Sequence, residues 1–104
     1  MADRWVTEKM AASLASARSE KDAAYATDPT DLVAWYRGVA QAESHLAGLL
    51  REVAAVGLIG LNRVGDPDFE SRLALWDAGT FHALLASGFT ARAHTIHARI
   101  GGAA

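Results

Sequence analysis

The stretch LVAWYRGVAQAESHLAGLLREVAAV, residues 32–56, decides the fold. Leu32, Trp35, Tyr36, Val39, Ala42, Glu43, Leu46, Leu49, Leu50, Val53 and Val56 follow one another along it at helical steps. That spacing lines them up on one side of a helix of about 3.6 residues per turn. A helix with one apolar side must bury that side, so the chain is read as all-α around this segment. Glu43 is the only charge on the stripe.

Reading outward, residues 3–27 contain strong helix formers and neither Gly nor Pro. Their apolar line (Val6, Met10, Leu14, Ala17, Ala24, Tyr25) is rich in alanine and offers little burial per residue. Asp28-Pro29 reads as an N-cap followed by a first helical residue, which starts helix two at 29 and ends it near Gly57. Two long helices joined by so short a turn must run antiparallel. Residues 57–65 (GLIGLNRVG) are too apolar for an exposed loop. Asp66-Pro67 repeats the start signal and opens a third helix over 67–87, which Gly79 either interrupts or leaves intact. Gly88 then reads as a stop and Thr90 as the cap of a last helix over 90–100. That last segment also alternates as a strand does, through Thr90, Arg92, His94, Ile96, Ala98 and Ile100. The expected fold is one all-α domain over residues 1–104: a long antiparallel helical hairpin, then two or three shorter helices, the last with a strand as its alternative.

Composition narrows the function. The chain has 104 residues, 51% hydrophobic and 21% charged, an ordinary globular mix. A formal net charge of -2 makes the whole molecule a poor electrostatic partner for nucleic acid. Without cysteine there is no disulfide, thiolate metal site or cysteine nucleophile. The first ten residues carry no apolar leader, and the longest apolar run is far shorter than the ~20 residues a membrane span needs. A soluble, cytoplasmic protein with no membrane partner is expected. Abundant alanine and the excess of arginine over lysine fit a GC-rich bacterial or phage coding sequence.

Few residues invite chemistry. Glu43 is the candidate acid, because a carboxylate on an apolar side must find a partner or have its charged form disfavoured. Arg18 and Arg72 are the expected partners. His94 and His97, three apart, have the spacing of a helical metal pair but lack a third ligand nearby. Glu-x-x-His, the pattern of a helical di-metal site, is absent. Beyond Asp77 the only formal charges are Arg92 and Arg99, a candidate nucleic-acid contact. Gly88 and Thr90 would then form the turn and first residue of a helix-turn-helix. No nucleophile motif or phosphate loop is present, and no cofactor is called for.

The expected function is therefore a non-enzymatic interaction or assembly protein that self-associates. The argument is that helix two has more apolar surface than an alanine-lined neighbour can cover. The candidate interface residues are Trp35, Tyr36, Leu46, Leu50, Leu58, Ile59 and Leu61. Two alternatives stand beside it: a DNA-binding regulator using the C-terminal helix, and a small enzyme or ligand-binding module with Glu43 in an apolar pocket.

Overall fold

The computed structural model describes residues 6–58 and 67–102. Within them the chain forms α1 (Glu8–Ala26), α2 (Leu32–Leu58) and α3 (Pro67–Gly102), and no strand. The Cα extents are 57 × 23 × 16 Å. The long dimension belongs to α3, whose 36 residues span about 54 Å at the α-helical rise. A radius of gyration of 16.9 Å marks a rod, since a compact chain of this size measures about 13 Å.

Capping sets the starts of α1 and α2. Thr7 caps α1, its Oγ1 accepting from the Met10 amide at 3.1 Å. The cap of α2 is Asp31 and not Asp28: Asp31 Oδ1 accepts from the Ala34 amide at 3.1 Å, and its carbonyl accepts from Trp35. Pro29 therefore lies in the turn, and α2 begins three residues later than Asp28-Pro29 implies. Pro67 does occupy the first position of α3.

The two helices expected over 67–87 and 90–100 are one. Gly79 and Gly88 both lie inside α3, and Thr90 caps nothing. Its hydroxyl donates to the Ala86 carbonyl at 2.9 Å, as Thr80 does to Trp76 and Thr95 to Ala91. Donating back along the helix satisfies the hydroxyl without ending the helix. The strand alternative for 90–100 and the helix-turn-helix both fail on this continuity.

α2 lies between the other two helices and contacts both. Tyr25 meets Trp35 and Glu20 meets His45, so the chain reverses between α1 and α2. Arg51 meets Trp76 and Tyr36 meets Phe89, so it reverses again into α3. On the α1 side Leu14, Ala17, Leu46, Leu50 and Val53 form the main core cluster. On the α3 side small residues recur every seventh position: Ala40, Ala47 and Ala54 on α2, Gly79, Ala86 and Ala93 on α3, all buried. A seven-residue repeat keeps one narrow seam facing a partner helix, and small residues let two backbones come close. Gly79 marks a close approach, where an added Cβ would lie 2.8 Å from Arg51 Cγ and 3.1 Å from the Ala47 carbonyl oxygen.

From Val39 to Val53 the flank of α2 is thus largely covered by its own chain, while Leu32 at its start is 50% exposed. Val39, Leu46 and Leu50 are at most 1% exposed. The premise that the middle of the α2 stripe needs an outside partner is overturned, because α3, at 36 residues where 67–87 was expected, covers what α1 cannot.

Candidate functional site

Glu43 is 1% exposed at the centre of the rod. Neither Arg18 nor Arg72 is its partner. His82 Nδ1 donates to Glu43 Oε2 across 2.6 Å, and the imidazole is 20% exposed. A bond this short between an imidazole and a carboxylate is charge-assisted. Tyr25 on α1 is the third neighbour, its phenol near enough for the Glu43 carboxylate to act on it. Burial pushes the Tyr25 phenol above its ordinary value, and the neighbouring Glu43 pushes the same way. One side chain from each helix therefore meets at a single buried carboxylate: Tyr25 from α1, Glu43 from α2, His82 from α3.

Next to this junction lies an aromatic cluster. Phe89 is 6.0 Å from Tyr25, 6.5 Å from Trp35 and 5.9 Å from Tyr36, between ring centroids. Trp35 meets Tyr25 and Tyr36 edge-on at 5.9 and 5.2 Å. Edge-to-face packing at these separations is the favoured arrangement of aromatic pairs. Arg92 caps the cluster, its guanidinium 5.9 Å from the Tyr36 ring. At the other end of the α2–α3 seam, Arg51 stacks 5.1 Å from Trp76 and donates to Thr80 Oγ1 at 3.0 Å.

The Glu43 carboxylate itself is closed off from solvent. Proton transfer to a substrate requires the substrate to reach the group. Five open grooves of 250 to 620 Å³ lie among the described residues, and neither Glu43 nor His82 lines any of them. Glu43 is enclosed within the three helices, with His82 as its hydrogen-bond partner.

The exposed apolar residues lie elsewhere. Leu84 is 68% exposed, Phe81 57% and Leu73 42%. At 100° per residue these three fall on the side of α3 turned away from the buried Gly79, Ala86 and Ala93. α3 is apolar on two opposite sides, and only one of them is covered within the chain.

Other residues singled out from the sequence are dispersed. Leu46 and Leu50 are core residues, and Trp35 and Tyr36 are half-buried members of the aromatic cluster. The side chain of Leu58, and Ile59 and Leu61 entirely, lie outside the described residues. His94 and His97 are both exposed on α3, and among the described residues no three His, Asp or Glu gather where a metal could bind. Arg92 and Arg99 line one groove of about 540 Å³ with Leu32 and Tyr36. His82 and Tyr25 were not recognisable as partners of Glu43. The seven-residue repeat of Gly79, Ala86 and Ala93 was the available signal, since it sets the register that brings His82 to Glu43. No described helix is long and apolar enough to cross a membrane.

Compared with known proteins, the chain matches no family model, no curated protein and no solved structure.

Proposed function

We propose that this protein is a non-enzymatic helical assembly module that self-associates through the outer side of α3. The observation that carries this reading is the exposure of Phe81 and Leu84 on the face of α3 opposite its buried seam. Each large apolar side chain moved from water into a contact contributes roughly 1.5–3 kcal/mol. Contiguous exposed apolar residues on a folded chain mark association surfaces. The enclosed Glu43 supports the same reading, because its bond to His82 ties α3 to α2. The hairpin of α1 and α2 acts as a brace that presents α3.

Sedimentation and light scattering across a concentration series test this. The expected species is heavier than the 11.0 kDa chain and falls to 11.0 kDa when Phe81→Ser and Leu84→Ser are combined, with helix content unchanged by circular dichroism. A wild-type protein that stays at 11.0 kDa up to high micromolar concentration overturns the proposal.

A further inference from the structure

The outer face of α3 carries a charge pattern as well as apolar residues. Its first half holds Glu70 and Asp77, and its second half Arg92 and Arg99. These four, with Phe81, Leu84 and Gly88, fall within an arc of about 80° around the helix at 100° per residue. All seven are exposed, and Gly88, Arg92 and Arg99 also border the groove lined by Leu32 and Tyr36 of α2. Glu70, Asp77, Arg92 and Arg99 form no ion pair among the described residues.

The pattern is a mirror. About the point between Leu84 and Leu85, Asp77 is the counterpart of Arg92 and Glu70 that of Arg99. Phe81 is the counterpart of Gly88. We propose that the occupant of this face is a second copy of the chain, its α3 antiparallel to the first about a two-fold axis near Leu84. The inference rests on the self-association reading and adds the partner surface, the orientation and the register.

Three features converge on that arrangement. A two-fold interface is self-complementary, so each mirrored pair occurs twice and every acidic residue on the face meets an arginine. A parallel pairing would set Asp77 against Asp77 and Arg92 against Arg92, and like charges in juxtaposition are strongly disfavoured. The antiparallel register also sets the large Phe81 against Gly88, where an added Cβ would meet nothing within 4 Å in the single chain. Gly38 and Gly48 on α2 are equally open, so an open glycine is not enough by itself. What singles out Gly88 is its position opposite the most protruding ring of the same face. Large against small across a seam is how two helices interdigitate.

Charge reversal tests orientation apart from association. Asp77→Arg alone places arginine against Arg92 and is expected to weaken the dimer roughly tenfold or more at low salt. The doubly reversed chain, Asp77→Arg with Arg92→Asp, restores the pairing and is expected to return most of that loss, less the contact of Arg92 with Tyr36. Dissociation constants come from sedimentation, with helix content checked for each variant. Recovery in the double variant supports the antiparallel copy. A dimer that Phe81→Ser/Leu84→Ser abolishes but Asp77→Arg leaves unchanged overturns the orientation and keeps the self-association reading. A dimer weakened by Asp77→Arg and not recovered in the double variant also overturns the orientation. A wild-type monomer at every concentration overturns both.

Discussion

His82 on α3 and Glu43 on α2 approach to 2.6 Å with the carboxylate 1% exposed, so the pair is a buried bond between helices and not a surface ornament. With Tyr25 on the same carboxylate, it is the point where all three helices are tied to one register. Buried ion pairs contribute little net stability compared with apolar groups of the same shape, because both partners give up their hydration. Their loss is asymmetric: removing one partner leaves the other buried and uncompensated.

That asymmetry gives the first prediction. His82→Ala strands Glu43 and is expected to cost about 3 kcal/mol in urea unfolding. Glu43→Leu combined with His82→Leu removes both polar groups and is expected to lie within about 1.5 kcal/mol of wild type. A double variant as unstable as His82→Ala would mean that shape, and not the stranded charge, sets the cost.

Tyr25 makes the second prediction, on pH. Its phenol is pushed above the ordinary value of about 10 by burial first and by Glu43 second. A folded-state value above the unfolded one means the protonated phenol is favoured by folding. The contribution is present in full below about pH 10 and is lost as pH rises through the folded value. In a Tyr36→Phe background, which leaves Tyr25 as the only tyrosine, tyrosinate absorbance should appear with a midpoint above 10 in the folded protein. It should drop to the ordinary value in urea. A folded midpoint at or below the urea value would remove the Tyr25–Glu43 contact.

How much of this was legible in the sequence follows from where the periodicity is one-sided. α2 is apolar on one side, so its existence and most of its buried residues could be read directly, with Glu43 in their midst, though its start lay three residues further on. α3 is apolar on two sides and carries Gly79, Gly88 and Thr90, each of which is a stop or start signal in isolation. The helix runs through them because Gly79 is needed for the close approach to Ala47 and because Thr90 bonds back to Ala86. A search for large apolar residues passes over Ala40, Ala47, Ala54, Gly79, Ala86 and Ala93, since small residues contribute closeness rather than area. The partner of Glu43 stayed hidden for the same reason: local patterns such as Glu-x-x-His test neighbours on one helix, and His82 comes from another.

Phe89 supplies a third prediction. It touches Tyr25, Trp35 and Tyr36, one ring from α1 and two from α2. Phe89→Ala should cost about 3 kcal/mol and loosen the α1–α2 turn as well as the α3 seam. Phe89→Leu keeps most of the volume and should cost about half as much. Thermal unfolding followed by near-ultraviolet circular dichroism reads both the loss and the environment of Trp35. An unchanged near-ultraviolet spectrum in Phe89→Ala would mean the cluster does not order those rings.

Gly79 and Gly88, both inside α3, make the last prediction, because the same substitution should have opposite signs at each. Alanine in a helix interior is favoured over glycine by about 1 kcal/mol. At Gly88 an added Cβ meets open space in the single chain, so Gly88→Ala should collect that gain in dilute, dissociated protein. At Gly79 the Cβ would sit 2.8 Å from Arg51 Cγ, 3.1 Å from the Ala47 carbonyl oxygen and 3.3 Å from Leu50 Cβ. The arginine methylene can shift, but the carbonyl and the Leu50 Cβ belong to a packed helix. Overpacking of this kind costs about 1–3 kcal/mol, which exceeds the propensity gain. Gly79→Ala is therefore expected to lower stability and Gly88→Ala to raise it, measured by urea unfolding at the lowest workable concentration. At high concentration the sign at Gly88 should weaken or reverse, because the methyl then occupies the space that Phe81 of a second copy needs. A stabilising Gly79→Ala would mean that α2 and α3 are not held at the close approach that sets the register of Glu43 and His82.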